Sequence, residues 1–172
     1  MDAVVIDTNV LVVANGKAAA PHASEKCITL CRARLAEILR GSERVLLDDK
    51  KRIIQEYRRN LNEKGRGFGD RFWLELKRRF YNPKGYPETV IAVQITPLEG
   101  NGTEFEEFPN DDAALSDFHK KDKKFVAVAL TYQRDFEEEA PILKADDRGW
   151  EEFRAALAAH GVQVDSICED DI

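Results

Sequence analysis

The stretch Ala3-Val4-Val5-Ile6-Asp7-Thr8-Asn9 decides the fold of this chain. Its small and β-branched apolar residues are typical of a strand buried on both faces, and such strands belong to parallel sheets covered by helices. In these sheets ligands bind beyond the carboxyl ends of the strands, so Asp7 is the first candidate site residue. The alternative is that Asp7 only turns the chain, because Asp, Thr and Asn are common turn and N-cap residues.

Length and composition favour one globular domain. The chain has 172 residues, of which 43% are hydrophobic, and we expect a single domain over 1–172. No window approaches the about 18 consecutive apolar residues of a membrane span, so we expect no membrane association and a cytoplasmic location. The spacing of Cys27, Cys31 and Cys168 fits neither a disulfide framework nor a zinc site, which predicts reduced thiols.

Charge is divided unevenly along the chain. The net charge is −6, but residues 1–80 carry +6 and residues 81–172 carry −12. A basic half can attract phosphate groups, and an acidic half can hold divalent cations. The alternative is that both are ordinary solvated surfaces.

Apolar runs alternate with helical patterns through most of the chain. The predicted strands are 3–6, 45–47, 89–95, 141–145 and 162–168. Amphipathic helices are predicted between them, as in the stripe of apolar residues over 22–40 that Gly41 ends. This alternation predicts an α/β fold with a central parallel sheet and helices on both faces. The segment 97–117 has no period and is predicted to be a long loop or insertion, either mobile or partner-binding.

Residues 50–80 are strongly cationic and contain five aromatic rings. Cations with exposed rings suit single-stranded nucleic acid, but the helical spacing of Phe72, Leu76 and Phe80 favours core packing for the rings. The glycine-rich loop 65–69 is the better candidate for contacting a substrate. Glu56 lies on the flank of a helix in this region, where it either faces a crevice or forms surface ion pairs with Arg52 or Arg59.

Four segments, taken in order, resemble those of the PIN-domain nucleases. They are Val4-Val5-Ile6-Asp7-Thr8-Asn9, Glu56 in the second long helix, Asp122-Lys123-Lys124-Phe125-Val126-Ala127-Val128-Ala129, and Ile142-Leu143-Lys144-Ala145-Asp146-Asp147-Arg148-Gly149-Trp150. The resemblance implies a three-layer α/β/α PIN-like fold and a metal-dependent endoribonuclease. Many members carry a further acid where this chain has Gly149, and segment 97–117 is longer than usual.

The resemblance also implies a set of site residues and a cofactor. The catalytic and metal-binding residues would be Asp7, Glu56, Asp122 and Asp147, with Mg²⁺ or Mn²⁺ as the ion. Thr8, Asn9 and Asp146 would support them, and Asp147 is preferred to Asp146 from its spacing to Trp150. We take the nearby cations Arg52, Arg59, Arg66, Lys123 and Arg148 as candidate substrate-binding residues. Carboxylates suit this chemistry because both ions prefer hard oxygen ligands, and a bound ion can orient and ionise water.

The leading hypothesis is an RNA-cleaving enzyme, with a toxin or defence effector restrained by an inhibitory or accessory protein as one form of it. A homodimer is compatible with this reading. The alternatives are a catalytically weak scaffold that binds RNA or protein, and a DNA nuclease, because phosphate contacts do not reveal the sugar. We expect His22, His119 and His160 to be solvent-facing or packing residues.

Overall fold

The computed structural model describes residues 2–82, 84 and 85, 89–98 and 102–168. Its strands are β1 (Asp2–Ile6), β2 (Glu43–Asp48), β3 (Val90–Val93), β4 (Ile142–Lys144) and β5 (Val164–Ser166). They form one sheet in the order β3-β2-β1-β4-β5, and each neighbouring pair is parallel. The predicted parallel sheet is therefore confirmed.

The helices are α1 (Thr8–Ala14), α2 (Glu25–Glu37), α3 (Arg52–Asn60), α4 (Phe68–Tyr81), α5 (Lys123–Phe136) and α6 (Arg154–Ala159). Helix α1 packs against α2, α3 and α4, whereas α5 packs against strands β1 to β4. Right-handed crossovers put the helices of β1-β2-β3 on one face, and the reversal of direction from β3 to β4 puts α5 on the other. The predicted three-layer α/β fold is thus confirmed.

Local sequence explains where these elements begin and end. The Asp48 carboxylate accepts hydrogen bonds from the backbone N–H groups of Arg52 (3.0 Å) and Ile53 (2.8 Å), which satisfies donors in the first turn of α3. Gly41 has a φ of 86°, in the left-handed region that glycine adopts without strain, and it follows α2 as predicted.

The chain leaves the sheet centre in opposite directions at β1 and β4. From β1 it continues to β2 on one side, and from β4 it continues to β5 on the other. A crevice opens outside the carboxyl ends of two such neighbouring strands. Asp7 follows β1, and Asp146 and Asp147 lie just beyond β4, so the topology brings these acids to one edge.

The predicted insertion is packed onto the domain within its described residues. Phe105, Phe108 and Leu115 are buried in the core, and Pro97 pairs with Phe105 in an antiparallel bridge. Residues 99–101 lie outside the described part. Apolar side chains spread through a polar, aperiodic segment thus pack its described part against the core, and the choice between a mobile and a partner-binding segment stays a prediction.

The expectation of three reduced thiols is also wrong. Cys27 on α2 and Cys168 after β5 form a disulfide across a separation of 141 residues, while Cys31 is a buried free thiol. The folded chain places β5 beside α2, a proximity that sequence spacing does not reveal. The described part of the chain contains no helix with the length and apolar character needed to cross a bilayer.

Candidate active site

A cavity of about 780 Å³ lies at the carboxyl edge of the sheet. Its lining includes all four acids predicted to be catalytic: Asp7, Glu56, Asp122 and Asp147. The acids come from four separate elements, namely the end of β1, helix α3, the start of α5 and the loop after β4. The fold therefore brings the predicted acids to one cavity.

Asp7 is held rigidly at the end of β1. Its backbone N–H donates to the Leu143 carbonyl at 2.9 Å, and its own carbonyl accepts from Val10 N–H at 3.0 Å. The side chain is only 4% exposed, and its Oδ2 has no hydrogen-bond partner among the described residues. A buried carboxylate oxygen without a partner is costly, so this atom is available to a ligand.

Asp147 is positioned by the loop that follows β4. The buried Lys144 ammonium donates to the Asp147 backbone carbonyl at 2.9 Å and pairs with Glu151 at 2.8 Å. The Gly149 N–H donates to Asp147 Oδ1 at 2.8 Å. A Cβ at position 149 would lie 3.2 Å from that oxygen, so a side chain there would press on the carboxylate.

Glu56 has a partner on each carboxylate oxygen. The Thr8 hydroxyl donates to Oε2, and the Lys124 ammonium donates to Oε1 at 2.6 Å. The Lys124 ammonium also donates to the Lys121 carbonyl. Glu56 is 9% exposed, which excludes the alternative of a surface glutamate. Thr8, which was predicted to support the acids, contacts one of them through its hydroxyl.

Electrostatic repulsion within the cavity alters two of the acids. Burial raises the pKa of Asp7 well above its usual value, and the charges of Asp122, Asp147 and Glu56 raise it further. The Trp150 indole N–H opposes this shift without forming a hydrogen bond of good geometry. Burial, followed by repulsion from Glu56, raises the pKa of Asp122 to about 6. A bound cation would relieve this repulsion.

These residues fit a hard divalent ion with mostly indirect ligation. The unpartnered Asp7 oxygen and the crowded carboxylates are the features that favour a cation. Many metal sites use three or more His, Cys, Asp or Glu side chains whose ligand atoms lie close together. Among the described residues, the one group of three with ligand atoms within 4.8 Å of one another is Cys27, Cys31 and Cys168. No three of the acids approach this closely, so one or two direct carboxylates with water in the remaining positions suit the cavity.

The other predicted site residues divide into two groups. Asn9 lines the cavity and donates through its side chain to Asp146 Oδ1 at 3.1 Å, and Arg52 and Arg59 line the cavity as predicted. The other three candidate substrate-binding cations, Arg66, Lys123 and Arg148, do not line it.

The structure places these three side chains elsewhere, and their role in substrate binding stays a prediction. Lys123 pairs with Glu104 of the insertion at 2.7 Å. Arg66 belongs to the loop before α4, and that loop packs beside Asn15 and Asp70. Arg148 is exposed outside the cavity.

Sequence reasoning missed three cavity lysines. Lys120 and Lys121 lie in a 3₁₀ turn before α5, and Lys124 lies in the first turn of α5. Their one signal was the run Lys120-Lys121-Asp122-Lys123-Lys124, which places cations on both sides of a candidate acid. His119 also lies near the site, since a Cβ at Gly149 would be 3.3 Å from its ring.

Comparisons with protein-family models, with curated proteins and with solved structures found no match. The PIN resemblance therefore stays a prediction, and the function has to be inferred from the cavity itself.

Proposed function

We propose that this protein is a divalent-metal-dependent nuclease, most simply an endoribonuclease. The observation that carries the proposal is the convergence of Asp7, Glu56, Asp122 and Asp147 on one cavity, with a buried Asp7 oxygen that has no partner. Such crowding of carboxylates destabilises a protein unless a ligand compensates for it. The resemblance to PIN-domain nucleases supports the same reading.

One or two of the residues Asp7, Asp122 and Asp147 would bind one Mg²⁺ or Mn²⁺ directly and the rest through water, and Glu56 would act from outside the direct ligands. When bound, the ion supplies a polarised water and neutralises charge on the attacked phosphate. Glu56 fixes the Thr8 hydroxyl, and Asn9 fixes Asp146. The Gly149 N–H and Lys144 keep the Asp147 loop in place, so this chain supplies a preorganised set of oxygen ligands.

Cations around the acids provide the means to bind a phosphate backbone. Arg59, Lys120 and Lys121 line the cavity, and among the described residues their side chains have no carboxylate partner. Arg52 is less available because it pairs with Asp48 at 3.3 Å and lies over the Phe105 ring. Free cations beside an acidic centre suit a polyanion whose scissile phosphate is placed at a metal.

Cleavage assays test the proposal directly. A fluorescent single-stranded RNA should be cut with Mn²⁺, and cleavage should stop with EDTA and in Asp7→Asn. Asp111→Asn, which changes an exposed acid of the insertion that does not line the cavity, is the matched control and should retain cleavage. Matched DNA tests the DNA-nuclease alternative. Failure to cut RNA or DNA with any divalent ion, while RNA binding persists, would refute the enzyme.

The second candidate is a catalytically weak scaffold that binds RNA or a protein. The observation that favours it is that each Glu56 oxygen already accepts a hydrogen bond, one from Thr8 and one from Lys124. This acid is therefore less available to a metal. A scaffold would bind RNA with the same affinity in Asp7→Asn and without Mn²⁺. We also retain the proposals of an inhibitory or accessory protein partner and a homodimer, as expected for a restrained toxin, which size-exclusion measurements with light scattering would test.

The proposed cytoplasmic location conflicts with the disulfide, since disulfides are rare in reducing compartments. Counting free thiols in protein isolated under acid quench distinguishes the two cases. A cytoplasmic protein should have three, and one thiol would indicate an oxidising compartment.

A further inference from the structure

We propose that the Lys124 ammonium is a fixed second cation of the acidic cavity, so that the cavity binds one divalent ion instead of two. The inference rests on the proposed function for the identity of the ion. It assigns to Lys124 a positioning role that a nuclease of this kind does not by itself require.

The Lys124 ammonium is held next to the Glu56 carboxylate, where its positive charge offsets the negative charge of that group. Its side chain is one-tenth exposed, and its Nζ lies 2.6 Å from Glu56 Oε1. A second hydrogen bond to the Lys121 carbonyl holds the ammonium in place. The Thr8 hydroxyl takes the other Glu56 oxygen. Each Glu56 oxygen thus already accepts one hydrogen bond, and an ion would have to compete with the ammonium for this carboxylate.

The neighbouring lysine shows that this placement is specific. Lys123 is equally buried but points to the insertion, where it pairs with Glu104 at 2.7 Å and lies over the Phe108 ring. Adjacent residues on a helix diverge by about 100°. Lys123 therefore pairs with the insertion, whereas Lys124 places a positive charge next to the acids of the cavity.

The charge balance favours a single divalent ion. Four carboxylates with one such ion leave two negative charges, and Lys124 reduces this to one. A second divalent ion would leave a surplus positive charge on this group of five side chains, which is unfavourable. Paired metals sit about 3.5–4 Å apart and share carboxylates, and Glu56, one carboxylate such a pair would use, is already bound to the ammonium.

Among the described residues, the Asp147 side of the cavity provides no further carboxylate that could replace Glu56 as a ligand of a second ion. One of its oxygens accepts the Gly149 N–H at 2.8 Å, and a side chain at position 149 would crowd that oxygen. A side chain there would require the Asp147 carboxylate and the His119 ring to move by a few tenths of an ångström. Among the described cations that line the cavity, Lys124 is thus the one that pairs with one of the four acids.

Mn²⁺ binding measured by calorimetry and by electron paramagnetic resonance tests the inference without any activity assay. The full-length protein should bind one ion in the cavity. Lys124→Gln should bind two, with the first about tenfold tighter, because a positive charge has been removed. Lys124→Arg should keep one ion. The matched control is Lys123→Gln, which removes an equally buried, paired lysine outside the cavity and should also keep one.

Circular dichroism would verify folding, and Glu56→Gln/Lys124→Gln removes both charges if the single variant is unstable. The double variant should bind one ion, because the Glu56 carboxylate is also removed and only three of the four acids remain. Two ions in the wild type, or one ion of unchanged affinity in Lys124→Gln, would overturn the inference and leave the proposed nuclease standing. If the wild type binds no ion, the proposed function fails. In that case, Mn²⁺ binding by Lys124→Gln would still support the inference that the lysine takes the place of an ion. If neither the wild type nor Lys124→Gln binds Mn²⁺, both the proposed function and this inference fail.

Discussion

Replacing Asp122 by Asn should stabilise the metal-free protein, because burial and then repulsion from Glu56 disfavour the charged wild-type carboxylate in the folded state. Burial and the Glu56 charge raise its pKa from 3.8 to about 6. At about 1.4 kcal/mol per pKa unit, this shift corresponds to about 3 kcal/mol. Asp122 is only partly buried, and solvent screening reduces the expected gain to about 1–2 kcal/mol.

The size of this stabilisation depends on pH. A folded pKa above the unfolded value means that the folded state holds its proton more tightly. The contribution of Asp122 to wild-type stability should therefore fall as the pH rises from about 4 to about 6, and stay low above that range. Asp122→Asn lacks this titration. The difference between the two proteins should be largest at pH 8 and vanish below about pH 4.

Urea unfolding in EDTA at pH 4 and pH 8 measures the difference. For a chain of this size, the gain corresponds to a rise in Tm of about 2–8 °C at pH 8. Asp111→Asn, at an exposed position, should change stability by less than about 0.5 kcal/mol. Excess Mn²⁺ should reverse the order, because the wild type gains binding free energy and the variant loses a ligand. Equal or lower stability of Asp122→Asn at pH 8 in EDTA would refute the reasoning.

Three further outcomes follow from named contacts. Lys144→Met should lower the unfolding free energy by about 2–3 kcal/mol and weaken Mn²⁺ binding, because the Asp147 carbonyl loses its buried donor; unchanged urea midpoints and metal affinity would contradict this. Cys168→Ser should cost up to about 5 kcal/mol in guanidinium unfolding, because the disulfide closes a 141-residue separation. Cys31→Ser should cost much less, and equal losses in both would argue against the pairing. Arg59→Gln should weaken RNA binding in EDTA, measured by fluorescence anisotropy, and reduce the slope of log K against log salt by about 0.7–1. Lys26→Gln, on an exposed position of α2, should leave that slope unchanged.

The sheet and the strand-end acids were predictable because their signals are local. The apolar run 3–6 and the run 141–145 mark buried strands, and each leads directly into a carboxylate. Parallel strands align their carboxyl ends, so Asp7 and the pair Asp146 and Asp147 follow from the pattern, whereas the preference for Asp147 came from its spacing to Trp150. Glu56 did not, since a glutamate on the flank of a helix has the same sequence signature whether it faces water or a cavity.

Long-range proximity could not be predicted from the sequence. Cys27 and Cys168 are joined although 141 residues separate them, because β5 ends beside α2. Lys123 and Lys124 are adjacent and identical in type, and only the position of the insertion decides which one pairs with Glu104 and which one reaches Glu56. The insertion itself lacked periodicity, yet its buried aromatic side chains, such as Phe105 and Phe108, fix it to the core.

Anomalous diffraction from crystals soaked in Mn²⁺ shows whether the acids of the cavity bind a cation. We expect an anomalous peak in the cavity in contact with the Asp7 carboxylate and within reach of Asp122 and Asp147, absent from Asp7→Asn crystals soaked in the same way. A cavity without a peak at saturating Mn²⁺, or a peak confined to acids elsewhere on the surface, would contradict it.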